Sequence, residues 1–123
     1  MGQYHVIVNE TKKQFLHPHK LGDGLKLLEF GCSRDGTMTA LALLLSVHNG
    51  RGGGDFSGKD PRELVGSWAG DSIAIVGDYG DSEGDRFSGL YEAAMSDGSE
   101  WENISDFMRA AMESDAIDVG RSW

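Results

Sequence analysis

The chain has 123 residues, enough for one ordinary domain with a hydrophobic core and too few for two independent ones. Its formal net charge is −9, unevenly placed: residues 1–61 carry seven Lys/Arg against six Asp/Glu, whereas residues 62–123 carry four against fourteen. That asymmetry argues against broad contact with a nucleic-acid backbone, which needs clustered Lys and Arg, and favours a basic protein partner.

In chain order, Gln3 to Asn9 alternates Tyr4, Val6 and Val8 with His5 and Ile7, the pattern of a strand buried on both sides. After a polar turn, Gln14 to His19 reads as a returning strand that Pro18 ends, so a β-hairpin opens the fold. Leu21 to Gly31 spaces Leu21, Leu25 and Leu28 as one face of a short helix. The apolar run from Thr37 to His48 is expected to be a buried central helix, capped by Asp35 or Thr37 and stopped by Asn49 and Gly50. "ELVGSWAG" and "SIAIVGD" read as two more strands joined at Gly70 and Asp71. "GLYEAAMS" reads as a short helix, and "NISDFMRAAMES" as an acidic C-terminal helix with Ile104, Phe107, Met108, Ala111 and Met112 on one face and Asn103 or Ser105 as cap. The predicted class is α+β: a small antiparallel sheet of about four strands packed with helices, in one globular domain spanning 1–123.

Eighteen glycines, about twice the usual ~7% share, mark two loops: a Gly-rich one at 49–60 and an acidic Gly-Asp one at 77–86. In the first, Gly53, Gly58 and Lys59 satisfy G-x-x-x-x-G-K, but Asp60 stands where a magnesium-binding hydroxyl is required, and a helix precedes the loop instead of a strand. A phosphate loop of that kind is rejected. Three readings of the loop remain: a connection with tight turns, a backbone nest in which Asn49, Arg51, Gly52, Gly53, Gly54 and Asp55 hold one anion, and a loop that folds onto a protein partner. In the second loop, a solvated acidic turn is the expected reading, because the spacing misses the EF-hand; the alternative is that Asp78, Asp81 and Asp85 offer oxygens to Mg²⁺ or Ca²⁺. His5, His17, His19 and His48 have no metal-binding spacing, and Cys32 has no sequence-adjacent base. No cofactor is expected, and no catalytic residue is assigned.

Cys32, the only cysteine, cannot form an internal disulfide, and "MGQYHVIVNE" lacks the features of a secretory signal, so a cytoplasmic setting is expected. The longest apolar run, Met38 to Val47, falls far short of the ~20 residues that span a bilayer, and no membrane association is expected.

The stretches "MGQYHVIVN", "TKKQFLHPHKLGDGLKLLEF", "NGRGGGD" and "VGSWAGDSIAIVGDYGD" resemble an uncharacterised family of small proteins from phages, plasmids and prokaryotic genomes. The resemblance covers about residues 1–85 and implies a mobile-element accessory protein in a bacterial cell, with no catalytic residue to carry over. The resulting expectation is a non-enzymatic binding protein that presents Glu92, Asp97, Glu100, Glu102, Asp106, Glu113, Asp115 and Asp118 to the basic, nucleic-acid-binding surface of a host or defence protein. The alternative is a small-ligand or nucleotide site built from the Gly-rich loop and Asp78, Asp81 and Asp85, with or without a divalent cation. Monomer and homodimer, the latter through exposed parts of "WENISDFMRAAM", both stay open, although Trp101 and Phe107 are of types more often found in a core.

Overall fold

The computed structural model describes residues 3–32, 36–48 and 63–113. The Gly-rich loop, with Asn49, Arg51, Gly52, Gly53, Gly54 and Asp55, lies outside them, as do Asp35, Asp115 and Asp118. The strands are β1 (His5–Asn9), β2 (Gln14–Leu16), β3 (Ile73–Gly77) and β4 (Glu102–Asn103). The helices are α1 (Leu27–Gly31), α2 (Thr37–Leu45), α3 (Leu90–Met95) and α4 (Ser105–Glu113), with 3-10 turns at Pro18–Leu21 and Asp78–Ser82. The fold is α+β, and its sheet has the order β3-β1-β2-β4.

β1 is the axis. Val6, Ile7, Val8 and Asn9 are all fully buried, because a central strand covered on both faces must be apolar on both. Ile7 enters a large core with Leu16, Phe30, Leu44, Trp68, Ile104 and Met108, closed by α1, α2 and α4. Val6 and Val8 enter a smaller one with Phe15, Val76 and Ala94, closed by α3. The opening hairpin forms as expected, with Ile7 opposite Leu16 and Asn9 opposite Gln14. Asn9, a buried polar residue, is fully engaged: its Nδ2 donates to Asp71 Oδ2 at 2.8 Å and its Oδ1 accepts from Lys12 N at 2.9 Å.

Four expectations are corrected. First, "ELVGSWAG" is a series of turns, because its amides bond elsewhere: Gly66 N donates to Leu43 O at 2.9 Å and Trp68 N to Leu44 O at 3.0 Å. The segment thereby satisfies the orphan carbonyls of α2 and stops that helix at Leu45, three residues before His48. Gly66 is required there, since it has φ +79° and a Cβ would sit 2.8 Å from Ser46 O. Second, the fourth strand is Glu102–Asn103, parallel to β2, so the sheet is mixed instead of antiparallel.

Third, the segment from Leu21 to Gly31 is not one helix. Its second half alone is α1, and Phe30 is the side chain it buries, while Leu28 stays 76% exposed. Fourth, Phe107 of α4 faces solvent, leaving Ile104, Met108 and Ala111 as the buried contacts there. The start of α2 is held from a distance: Asp23 Oδ2 accepts from Thr37 N at 2.7 Å and from Thr37 Oγ1 at 2.6 Å. Of the two candidate caps of α4, Asn103 accepts from Ser105 N at 3.0 Å, while Ser105 Oγ accepts from His17 N.

Candidate functional site

Where β3 ends, the chain turns into three carboxylates that are structural before they are anything else. Asp78 N donates to Tyr4 O at 2.9 Å and Asp78 Oδ1 accepts from Tyr4 N at 3.0 Å, extending the β1–β3 ladder by one pair. Asp81 Oδ1 accepts from Gly89 N at 3.0 Å and its Oδ2 from Glu92 N at 3.1 Å, which satisfies free amides at the start of α3. Asp85 Oδ1 accepts from Phe87 N at 2.8 Å, a local Asx turn. Neither reading of these acids from the sequence, a solvated turn or ligands of a divalent cation, showed that backbone amides already claim them.

Two of the three nevertheless meet. Asp78 and Asp81 line a cleft of about 330 Å³ with Glu92, Tyr91, Met95 and Ser96. Asp85 does not line it. Burial, then the charges of Asp78 and Asp81, push the Tyr91 hydroxyl above its ordinary pKa and keep it protonated. The cleft thus presents three carboxylates beside one neutral phenol and a thioether, and among the described residues no cationic side chain lines it.

The basic residues that form ion pairs do so away from the cleft. Lys12 pairs with Asp71, Lys13 with Glu100, Lys20 with Asp106 at 4.0 Å, and Arg86 with Glu10 at 3.2 Å. Among the described residues no ion pair involves Asp78, Asp81, Glu92 or Asp97. The eight acids assigned to partner contact therefore fall into different groups. Glu92 and Asp97 belong to the α3 region and are exposed. Glu100 is offset by Lys13, and Glu102 accepts from Gln14 Nε2 at 3.0 Å. Asp106 starts α4, across the sheet from α3, beside Lys20. Glu113 ends α4.

Among the described residues no three His, Cys, Asp or Glu side chains converge as a metal-binding group. His5 stacks edge-on with Phe30, His17 with His19, and Cys32 is exposed. Two polar chains had no signal in the sequence: Asn9 to Asp71 to Lys12, and Trp68 Nε1 to Gln14 Oε1 at 2.8 Å and on to Glu102. Hydrogen bonds from Asn9 and Lys12 hold the Asp71 carboxyl below its usual range. No helix among the described residues is long and apolar enough to cross a membrane. Compared with family models, curated proteins and solved structures, the chain matches none.

Proposed function

We propose that this chain is a non-enzymatic acidic binding protein whose α3 side engages a basic surface of a partner protein. The observation that carries this reading is the cleft of Asp78, Asp81 and Glu92, three carboxylates that form no ion pair among the described residues. Such a site attracts an ammonium or guanidinium group, and Tyr91 and Met95 offer its aliphatic stem an apolar wall. It repels phosphates, which weighs against a nucleotide in this cleft. The resemblance to mobile-element proteins extends the proposal to a nucleic-acid-binding protein of the host or its defences, whose basic groove the carboxylates would occupy.

The test is a titration of a fluorescent oligolysine against the wild type, Glu92→Gln and the control Asp106→Asn, at low and high salt. Affinity should fall steeply with salt, as expected of exposed charges screened over ~10 Å at 0.1 M. Glu92→Gln should weaken binding several-fold, whereas Asp106→Asn, an identical change of net charge, should leave it alone. Equal effects of the two substitutions would reduce the binding to overall charge and remove the site.

A further inference from the structure

The sheet has two edges, and among the described residues only one is blunted. β4 is two residues long and carries Glu102, both of which blunt an edge. β3 is five residues, Ile-Ala-Ile-Val-Gly, with no charge and no proline. Its pairing with β1 fixes which of its backbone groups are free. Glu10 N donates to Ser72 O and Asp78 N to Tyr4 O, each at 2.9 Å, and the register between them pairs Val8 with Ala74 and Val6 with Val76. Hydrogen-bonded pairs alternate along an antiparallel ladder, so Ala74 and Val76 face β1 while the N–H and C=O groups of Ile73, Ile75 and Gly77 point outward. No hydrogen bond from another described residue reaches those outward amides. The Ile75 side chain, at the centre of the strand, is 43% exposed.

We propose that the β3 edge takes up an extended basic segment of the partner as a fifth strand, with a lysine or arginine of that segment entering the Asp78, Asp81 and Glu92 cleft. This rests on the basic-partner reading above and gives it a binding mode. Backbone bonding to Ile73, Ile75 and Gly77 supplies affinity independent of side chains, as in other strand additions. Charge supplies the choice of occupant. Asp78 is the residue directly after Gly77, so the carboxylates of the cleft begin where the edge strand ends. A second copy of the chain is the poorer occupant, because it brings another −9 to an edge already flanked by acid.

Three peptides test this on the intact protein: alternating lysine and valine, the same peptide with prolines replacing the central valines, and one with serines replacing the lysines. Affinity is read by fluorescence anisotropy, and amide hydrogen exchange by NMR. The lysine-valine peptide should bind about tenfold more tightly than the proline version, which carries the same charge but cannot complete the ladder. It should also slow exchange at Ile73, Ile75 and Gly77 without changing Ala74 and Val76. The serine peptide should bind weakly. Equal binding of the proline peptide would overturn the strand addition and leave the basic-partner reading standing. If neither basic peptide bound, both would fall. Protection of the same three amides in the protein alone, rising with its concentration, would assign the edge to a second copy and overturn the proposal.

Discussion

The two faces of the sheet are built from one strand but to different ends. On one face, Ile7 and Leu16 meet Phe30, Trp68, Ile104 and Met108 under three helices. On the other, Val6 and Val8 meet a six-residue helix whose outer side joins the carboxylates of the cleft. Buried apolar area stabilises at roughly 25 cal/mol per Å², so the larger core carries most of the folding energy. Most of the packing thus lies on one face of the central strand, and the cleft of the proposed site lies on the other.

The strongest way to break this comparison is to damage each core in turn. Trp68 is fully buried and its Nε1 is bonded to Gln14, so Trp68→Ala should cost about 4 kcal/mol in urea unfolding. Met95→Ala, at a partly buried position of the small core, should cost less than about 2 kcal/mol. Equal costs would show that the two faces share the stability evenly.

A smaller effect tests how the thin face is held. Asp81 accepts from two amides at the start of α3, and Asp81→Ala should lower stability by about 1.5 kcal/mol. Asp81→Asn should lose about half as much, because a side-chain amide has one acceptor oxygen where the carboxylate has two. An unchanged melting curve for Asp81→Ala would mean that α3 is placed by packing alone.

These same residues show where the sequence was legible. Period-two alternation located β1 and its double burial, since a strand covered on both faces is apolar over most of its length. The C-terminal helix was equally visible from the spacing of Ile104, Met108 and Ala111. "ELVGSWAG" was misread because its apolar pattern is that of a strand, while its fate is set by carbonyls of α2 some twenty residues earlier in the chain. Leu28 was misread for a related reason: a five-residue helix is placed by the residue it docks, here Phe30, and its own periodicity is too short to decide. In the site, Asp78 and Asp81 were picked out as acids at a strand end, but nothing local announced Tyr91 or Met95 beside them.

Acidification separates two contributions from the better-packed side. Burial, then the charges of His19 and Lys20, lower the pKa of His17 from its usual 6.5. The unfolded chain therefore takes up this proton first, so the contribution of His17 is constant above about pH 6.5 and stability falls below it until the folded pKa is passed. Asp71 has the opposite chemistry and a separate window: its lowered pKa stabilises the fold above about pH 3.8, and this is lost as pH falls through the folded value. Urea unfolding of wild type and His17→Gln at pH 7.5 and 5.5 should show a smaller difference between the two pH values for the variant, with the limb below pH 4 retained. A difference just as large in His17→Gln would assign the upper window to another group.

The smallest effect is expected where the acid is already balanced. Lys13 with Glu100 and Lys20 with Asp106 are pairs of exposed side chains, worth at most about 0.5 kcal/mol each. Glu100→Gln combined with Asp106→Asn should therefore barely move the melting temperature, and it releases two lysines from carboxylates that do not line the proposed cleft. Net charge becomes less negative by two, yet affinity for a basic peptide should stay close to wild type if the cleft does the binding. Glu92→Gln, removing half as much charge, should weaken that affinity more. A ranking that followed net charge instead would erase the functional difference between the two faces while leaving their difference in packing intact.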